Sequence, residues 1–297
     1  MTATTTRPGH RGNDDVVLVP FAKEHLKGAL RLSQEMSWPY RLKDWSFALE
    51  LGQGFVLLDG ARSVIATAAW WACGDERASA GMIIVAKAAQ GRGHGTRLMD
   101  ALLAAAHPRT IALNSTAEGL ALYERRGFVR TGVSQLRQGA PDERHPAPPA
   151  SRVRSMAAPD VEAVVRLDRQ ATGWARRQML DRLFQASDCR VLVREGEPRG
   201  CSISRLFGRG HVNGSMVAKG AADARASTEG AALARLAQVF VRFDTAATSQ
   251  LGDWLESIGL RHVGDATTMA LGNQTLLAAR RDAGDARGSG DVSAATA

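Results

Sequence analysis

Met82-Ile-Ile-Val85-Ala-Lys-Ala-Ala-Gln90-Gly-Arg-Gly93-His-Gly95-Thr-Arg-Leu-Met-Asp-Ala-Leu-Leu103 is the stretch whose reading decides the fold. It begins as a short apolar strand and passes through a loop with Gly91, Gly93 and Gly95 at alternate positions. It continues as a helix whose apolar face is expected to be Leu98, Ala101, Leu102 and Ala105. A strand, a glycine turn and a helix start make an anion site: backbone N–H groups approach a phosphate closely where side chains are absent, and the helix N-terminus adds partial positive charge.

The anion is narrowed by what the loop lacks. A Walker loop ends in Gly-Lys-Ser/Thr, whereas Gly95 is followed by Thr96 and Arg97. The dinucleotide fingerprint needs Gly-x-Gly-x-x-Gly, and the spacing here is Gly-x-Gly-x-Gly. The stretch resembles the Gln/Arg-x-x-Gly-x-Gly/Ala signature of the GNAT superfamily, the acetyl-CoA-dependent N-acyltransferases, matched by Gln90, Gly93 and Gly95. The resemblance implies that the loop from Gln90 through Gly91, Arg92, Gly93, His94 and Gly95 to Thr96 holds the coenzyme A pyrophosphate. It also implies that the strand around Ile84 and Val85 binds the pantetheine arm. The plainer alternative is a glycine-rich turn that only joins strand to helix.

At 297 residues, 44% of them hydrophobic, the chain has the length and apolar content for two domains. Cys73, Cys189 and Cys201 are widely separated, which argues against a disulfide framework or a zinc site and for free thiols in a reducing cytoplasm. No metal is expected. No apolar run reaches the length of a membrane span, and Met1 to Asp15 is polar, so no membrane association is expected. The net charge of +8 raises the question of nucleic acid. The arginines are scattered singly or in pairs with no basic stripe interleaved with aromatics, so the expectation is a solvated basic surface and no nucleic-acid partner.

From Val16 the pattern reads as a strand, a helix from about Lys23 to Met36 stopped before Pro39, and an aromatic segment carrying Trp38, Tyr40 and Trp45. Those three rings are either core packing or, as the family resemblance suggests, contacts on the acceptor side of the cleft. Two strands follow, Gly54–Leu58 and Val64–Trp71, joined at Asp59-Gly60, then a polar turn from Gly74 to Ala80 before the Met82 strand. Downstream, Leu122-Tyr123-Glu124-Arg-Arg-Gly127-Phe128 resembles a second GNAT segment, a helix closed by glycine and followed by a strand. Two motifs in the right order at the right separation identify the family far better than either alone. The implied fold is α/β (α+β), with a mixed, mostly antiparallel sheet flanked by helices.

The resemblance implies attack of a neutral amine on the thioester of acetyl-CoA, with a small-molecule amine as acceptor. Tyr123 stands where many family members carry the general acid that protonates the leaving thiolate; the alternative is a ring that only packs. Asn114 stands where members often carry a polar residue that contacts pantetheine or orients a water, the alternative being a turn cap. Glu35, Asp44, Glu50 and His25 lie in the acceptor half, and no general base is assigned among them. A competing class is a non-catalytic acyl-CoA sensor or interaction protein.

Residues 140–151 carry four prolines and read as a linker. Beyond it the chain repeats itself: Val217-Ala-Lys219 parallels Val85-Ala-Lys87, and Trp254-Leu-Glu-Ser-Ile-Gly259-Leu260 parallels Leu122–Phe128, both at an offset of 132. The expected organisation is a tail (1–15), a catalytic GNAT domain (16–139), the linker, a degenerate GNAT-like domain (152–272) and a second tail (273–297). This resembles the tandem-GNAT proteins of bacteria. At the same offset Gln90, Gly93 and Gly95 map to Ala222, Arg225 and Ser227, and Tyr123 maps to Leu255. The second copy is therefore expected not to bind coenzyme A, and either to cover the acceptor side of the first or to mediate self-association as a homodimer. Asp168, Gly173 and Arg176 match a further segment of those tandem proteins. As substrate residues Asp168 and Arg176 would recognise an amine and a carboxylate, and otherwise they form an ion pair and a cap.

Overall fold

The structure is a computed structural model that describes residues 15–141, 153–228, 239–249 and 251–272. The tail expected before Asp15, most of the 140–151 linker and the tail from 273 lie outside the described residues.

The first half runs β1 (Val17–Pro20), α1 (Leu26–Glu35), α2 (Leu42–Leu51), β2 (Gln53–Leu58), β3 (Val64–Cys73), β4 (Arg77–Val85), α3 (His94–Ala106), β5 (Thr110–Ser115), α4 (Leu120–Glu124) and β6 (Val129–Gly139). The second runs β7 (Val153–Ser155), α5 (Val161–Thr172), α6 (Arg177–Ala186), β8 (Asp188–Arg194), β9 (Glu197–Phe207), β10 (Gly210–Ala218), α7 (Ala221–Thr228), β11 (Val241–Ala246), α8 (Gly252–Ser257) and β12 (Arg261–Leu271). The strand expected to begin at Met82 begins at Arg77 instead. Arg77 is buried with its guanidinium over the Trp174 ring at 5.7 Å, so a charged residue that reads as turn is held inside by a ring from the other half. The buried face of α3 is Leu98, Met99, Leu102 and Ala106; Ala105 is exposed. Each large aliphatic side chain there contributes about 1.5–3 kcal/mol by leaving water.

The twelve strands among the described residues form one sheet in the order β1-β2-β3-β4-β5-β12-β6-β11-β10-β9-β8-β7. Only β4–β5 and β10–β11 are parallel; the other neighbours are antiparallel. The centre of the sheet is a reciprocal exchange. β12 of the second half lies between β5 and β6 of the first, with Thr267 opposite Ser115 and Thr268 opposite Asn114. In return β6 lies between β11 and β12, with Ser134 opposite Ala246. Each half fills its own gap with the other's last strand, and the hydrogen-bonded ladder runs unbroken across the boundary.

The cores are shared in the same way. The cluster under α1 and α2 takes in Phe207 and Val212 from the second half. The cluster under α5 and α6 takes in Cys73 and Ala112 from the first half. The three cysteines are free and buried, and no helix among the described residues is long and apolar enough to cross a membrane.

Candidate active site

β4 and β5 pair only from Arg77–Thr110 to Ala80–Leu113. Beyond that the strands part, and at the parting β4 carries a bulge. The register to β3 shifts between Thr67 and Ala69, Met82 takes φ 52°, and the Thr67 hydroxyl donates to the Met82 carbonyl at 2.8 Å. A side chain at positive φ is costly and persists only where neighbours hold it. From Gly81 to Val85 the edge of β4 toward β5 has no strand partner among the described residues, so its backbone groups can pair with an extended ligand.

The open edge leads into the glycine loop. Gly91 and Gly93 have φ 74° and 79°, and a Cβ at either would meet nothing within 4 Å. They are glycines for their conformation, and the space before them is open. Gly93 caps α3 without a side chain; the first helical bond is Arg97 N–H to Gly93 O at 3.0 Å, leaving the N–H groups of His94, Gly95 and Thr96 without helical acceptors. Gly95 serves differently: a Cβ there would stand 3.3 Å from Leu122 Cδ2, so it lets α3 and α4 approach. The Gln90 amide nitrogen donates to the Val85 carbonyl at 3.1 Å, pinning the loop to the strand end. His94 is buried, and its pKa is lowered by burial and by the charges of Arg92 and Arg97. The result is a concave run of backbone donors under a positive field, which suits a pyrophosphate. Ile84 is buried in the core, so only its backbone is available to a ligand, while Val85 is half-buried.

Tyr123 and Asn114 lie on the two elements after the parting, α4 and β5. Tyr123 packs edge-on against Phe128 at 5.8 Å, and Gly119 leaves room for the ring, since a Cβ there would come within 2.9 Å of it. Burial pushes the phenol up to about 12, which keeps it protonated throughout the neutral range. α4 is closed by Gly127 at φ 83°, with Phe128 N–H to Tyr123 O at 3.1 Å and Gly127 N–H to Glu124 O at 3.0 Å. Asn114 sits on the strand flanked by β12, so the second half contributes Thr268 beside it. The sequence carried no signal for that neighbour, because β12 reads as the last strand of its own repeat.

The expected acceptor contacts divide. Trp45 is fully buried, with its indole N–H donated to Ser33 Oγ at 3.2 Å, and Tyr40 is 9% exposed between Trp38, Trp45 and Phe207 at ring distances of 5.4–5.9 Å. These two are corrected to core residues, because aromatic area gains more from burial than from a cleft wall. Trp38 keeps partial exposure. Asp168 and Arg176, each 2% exposed, form a buried ion pair, with Arg176 Nε donating to Asp168 Oδ2 at 2.7 Å and Arg176 Nη2 to Asp168 Oδ1. Their charges are spent on each other, so the pair links α5 to α6 and is not a substrate clamp. His25 Nδ1, Asp44 and Glu35 already accept backbone N–H groups from Ala22, Arg41 and Lys87, and Glu50 is exposed. Among the described residues no group of three His, Cys, Asp or Glu side chains is placed to hold a metal.

The second half repeats the scaffold. β10 and β11 pair only at His211–Val241 and Val212–Arg242, and Ser215, 133 positions after Met82, takes φ 54° at a matching bulge. Gly259 closes α8 at φ 93° as Gly127 closes α4. The loop differs: α7 begins at Ala221, three positions after β10 ends, whereas α3 begins nine positions after β4. Arg225 and Ser227 thus lie inside a helix, and only Lys219 and Gly220 stand before it.

Comparison with known proteins agrees with this architecture. Two family profiles, each described as an acetyltransferase (GNAT) domain, match residues 53–142 and 164–282. An uncharacterised N-acetyltransferase of Bacillus subtilis, YitH, is 27% identical over 197 residues, 64% of this chain and 69% of that one. The holothin acyltransferase of a Pseudoalteromonas species is 29% identical over 110 residues, 37% of each chain. A tandem GNAT protein from the clavulanic acid biosynthesis pathway superposes with a TM-score of 0.64 at 16% identity, over 86% of this chain and 98% of its own. A GCN5-related N-acetyltransferase from Sphaerobacter thermophilus gives 0.64 at 14% identity, over 87% and 96%. At such identities the structural likenesses establish the fold alone. With both halves matched in sequence and the parted strands of each on view, the chain belongs to the GNAT acetyltransferases, as a tandem protein built from two such domains.

Proposed function

We propose that this protein is an acetyl-CoA-dependent N-acetyltransferase that acylates the amine of a small molecule at a single centre in the first half. The observation that carries this reading is the unpaired edge of β4 running from the Met82 bulge into Gly91, Gly93 and the free amides of α3. Acetyl-CoA supplies the acyl group as a thioester. The N–H groups of the loop and of the first turn of α3 bind its phosphates, and the β4 edge aligns its amide-bearing arm. Tyr123 holds a proton at Oη for the departing sulfur, and its raised pKa ensures that the proton is present. No general base is assigned among His25, Glu35, Asp44 and Glu50, and the amine is assigned to lose its proton to solvent. The second half, without a phosphate loop and with Leu255 in place of Tyr123, is assigned no coenzyme.

Titration calorimetry of the full chain with acetyl-CoA tests the binding; a stoichiometry of one supports the reading, and no heat of binding would sink it. Thiol release in the presence of a panel of small amines tests the chemistry. Binding without release for any amine would make the protein a sensor and not an enzyme.

A further inference from the structure

The second half carries a groove of its own, away from the parted strands, at the heads of β8, β10 and β11. Its volume is about 650 Å³, and it is walled by Arg41 before α2, by Lys43 and Phe47 of α2 and by Ser187, Ser204 and His211. Its floor is polar in an unusual way. Ser204 is 7% exposed and its hydroxyl has no hydrogen-bond partner among the described residues; the same holds for Ser187 Oγ and His211 Nδ1. Asn213, opposite Ser204 across β9–β10 and 2% exposed, has neither amide atom paired. Buried polar groups in native proteins find partners, so three unpaired side chains on the lining, with Asn213 beside Ser204 behind it, call for something that the chain itself does not supply.

The first half shows that the fold does not require this. The cross-strand pair at the matching place is Trp70 and Ala80, both buried in the apolar cluster beneath α3, with Ala78 where the second half has His211. Replacing a tryptophan and two alanines by Ser204, Asn213 and His211 removes apolar volume and adds donors and acceptors. The rim is cationic. Arg41 and Arg205 share the Asp44 carboxylate, at 2.7 and 3.6 Å, while Lys43 has no ion pair among the described residues. Asp188 is the other acid on the wall, and Arg190 lies 3.3 Å from it. Burial and the charge of Arg41 lower the pKa of His211, so the ring stays neutral and can both give and accept a hydrogen bond.

We propose that this groove is a second ligand site, for a small hydroxylated molecule with one oxyanion group, the anion at Lys43 and the hydroxyls on Ser204, Ser187 and His211. Because α2 forms one wall, its occupant bridges the two halves.

The test is thermal unfolding of the full chain with gluconate, glycerol 3-phosphate, inorganic phosphate, glycerol or sodium chloride, each titrated separately. The expected result is a midpoint that rises with gluconate or with glycerol 3-phosphate and not with glycerol or chloride. Whichever of the two acts identifies the oxyanion as carboxylate or phosphate. Lys43→Met, on an exposed side chain, and Ser204→Val should each weaken that effect at least tenfold in concentration while leaving acetyl-CoA affinity within twofold. The proposal is overturned if neither hydroxylated anion raises the midpoint, if inorganic phosphate or chloride does so equally, or if Lys43→Met responds like the unaltered protein.

Discussion

The two halves agree where the backbone is under constraint and differ where a ligand would be bound. Met82 and Ser215 take the same strained conformation, and Gly127 and Gly259 end their helices with the same pair of hydrogen bonds, although the residues around them differ. Nine positions separate β4 from α3, while three separate β10 from α7, and Tyr123 faces Leu255 across the repeat. Fold and binding are thus separable in this chain. The parted strands and their bulge are common to both halves, and the glycine loop is a feature that one copy has and the other lacks.

The strongest challenge to that comparison is to ask whether the halves are separable in stability. Thr268→Pro places a proline in β12, between β5 and β6, removing a ladder bond and leaving a carbonyl unpaired at a cost of about 3 kcal/mol or more. Scanning calorimetry should show one transition, lowered as a whole; two transitions with only the later one shifted would mean that the halves melt apart. Next comes Gly93→Glu, which puts a side chain at positive φ and a negative charge before the helix. Acetyl-CoA affinity should fall at least about a hundredfold, near 2.7 kcal/mol, while Arg225→Glu, at the matching offset on an exposed face of α7, should change it less than twofold. Equal losses would place coenzyme in both halves.

Tyr123→Phe sharpens the comparison at the level of chemistry. Turnover should fall about tenfold to a hundredfold with acetyl-CoA affinity nearly unchanged, measured by thiol release and calorimetry. Equal turnover would leave Tyr123 a packing residue like Leu255. The smallest effect concerns the contact between the halves at Asp44. Burial raises its pKa, but hydrogen bonds from Arg41 and the Gly208 N–H outweigh burial and hold it below the ordinary value. Its contribution is therefore fully present above the unfolded carboxylate pKa, about 4, and is lost as the pH falls through the lower folded value. Melting followed from pH 6 down to pH 2 should show a loss in wild type that Asp44→Asn lacks.

The glycine loop was legible in sequence because glycine at positive φ leaves a compositional trace, and so did Gly127 with its helix. Local hydrogen bonds fix both, and local residues encode them. Trp45 and Tyr40 read equally as core packing or as acceptor contacts, since an aromatic segment after Pro39 looks the same whether Phe207 of the other half covers Tyr40 or a substrate does. Asp168 and Arg176 were visible as a charged pair, but whether they face each other or a ligand depends on the turn at Gly173. The exchange of β6 and β12 was invisible: a strand pattern states which residues alternate and not whose sheet receives them.

That exchange also sets an order of events during synthesis. The gap between β5 and β6 is filled by Arg261–Leu271 and the far side of β6 by β11, so when Gly139 leaves the ribosome the first half has all its helices and its glycine loop but no partner for either edge of β6 or for the inner edge of β5. More than a hundred further residues must be made before the closing strand arrives, and joining contacts so distant in sequence is slow. The first half is therefore an incomplete sheet for most of its time on the ribosome, exposed to pairing with other chains, and it becomes whole only when the second half has been translated.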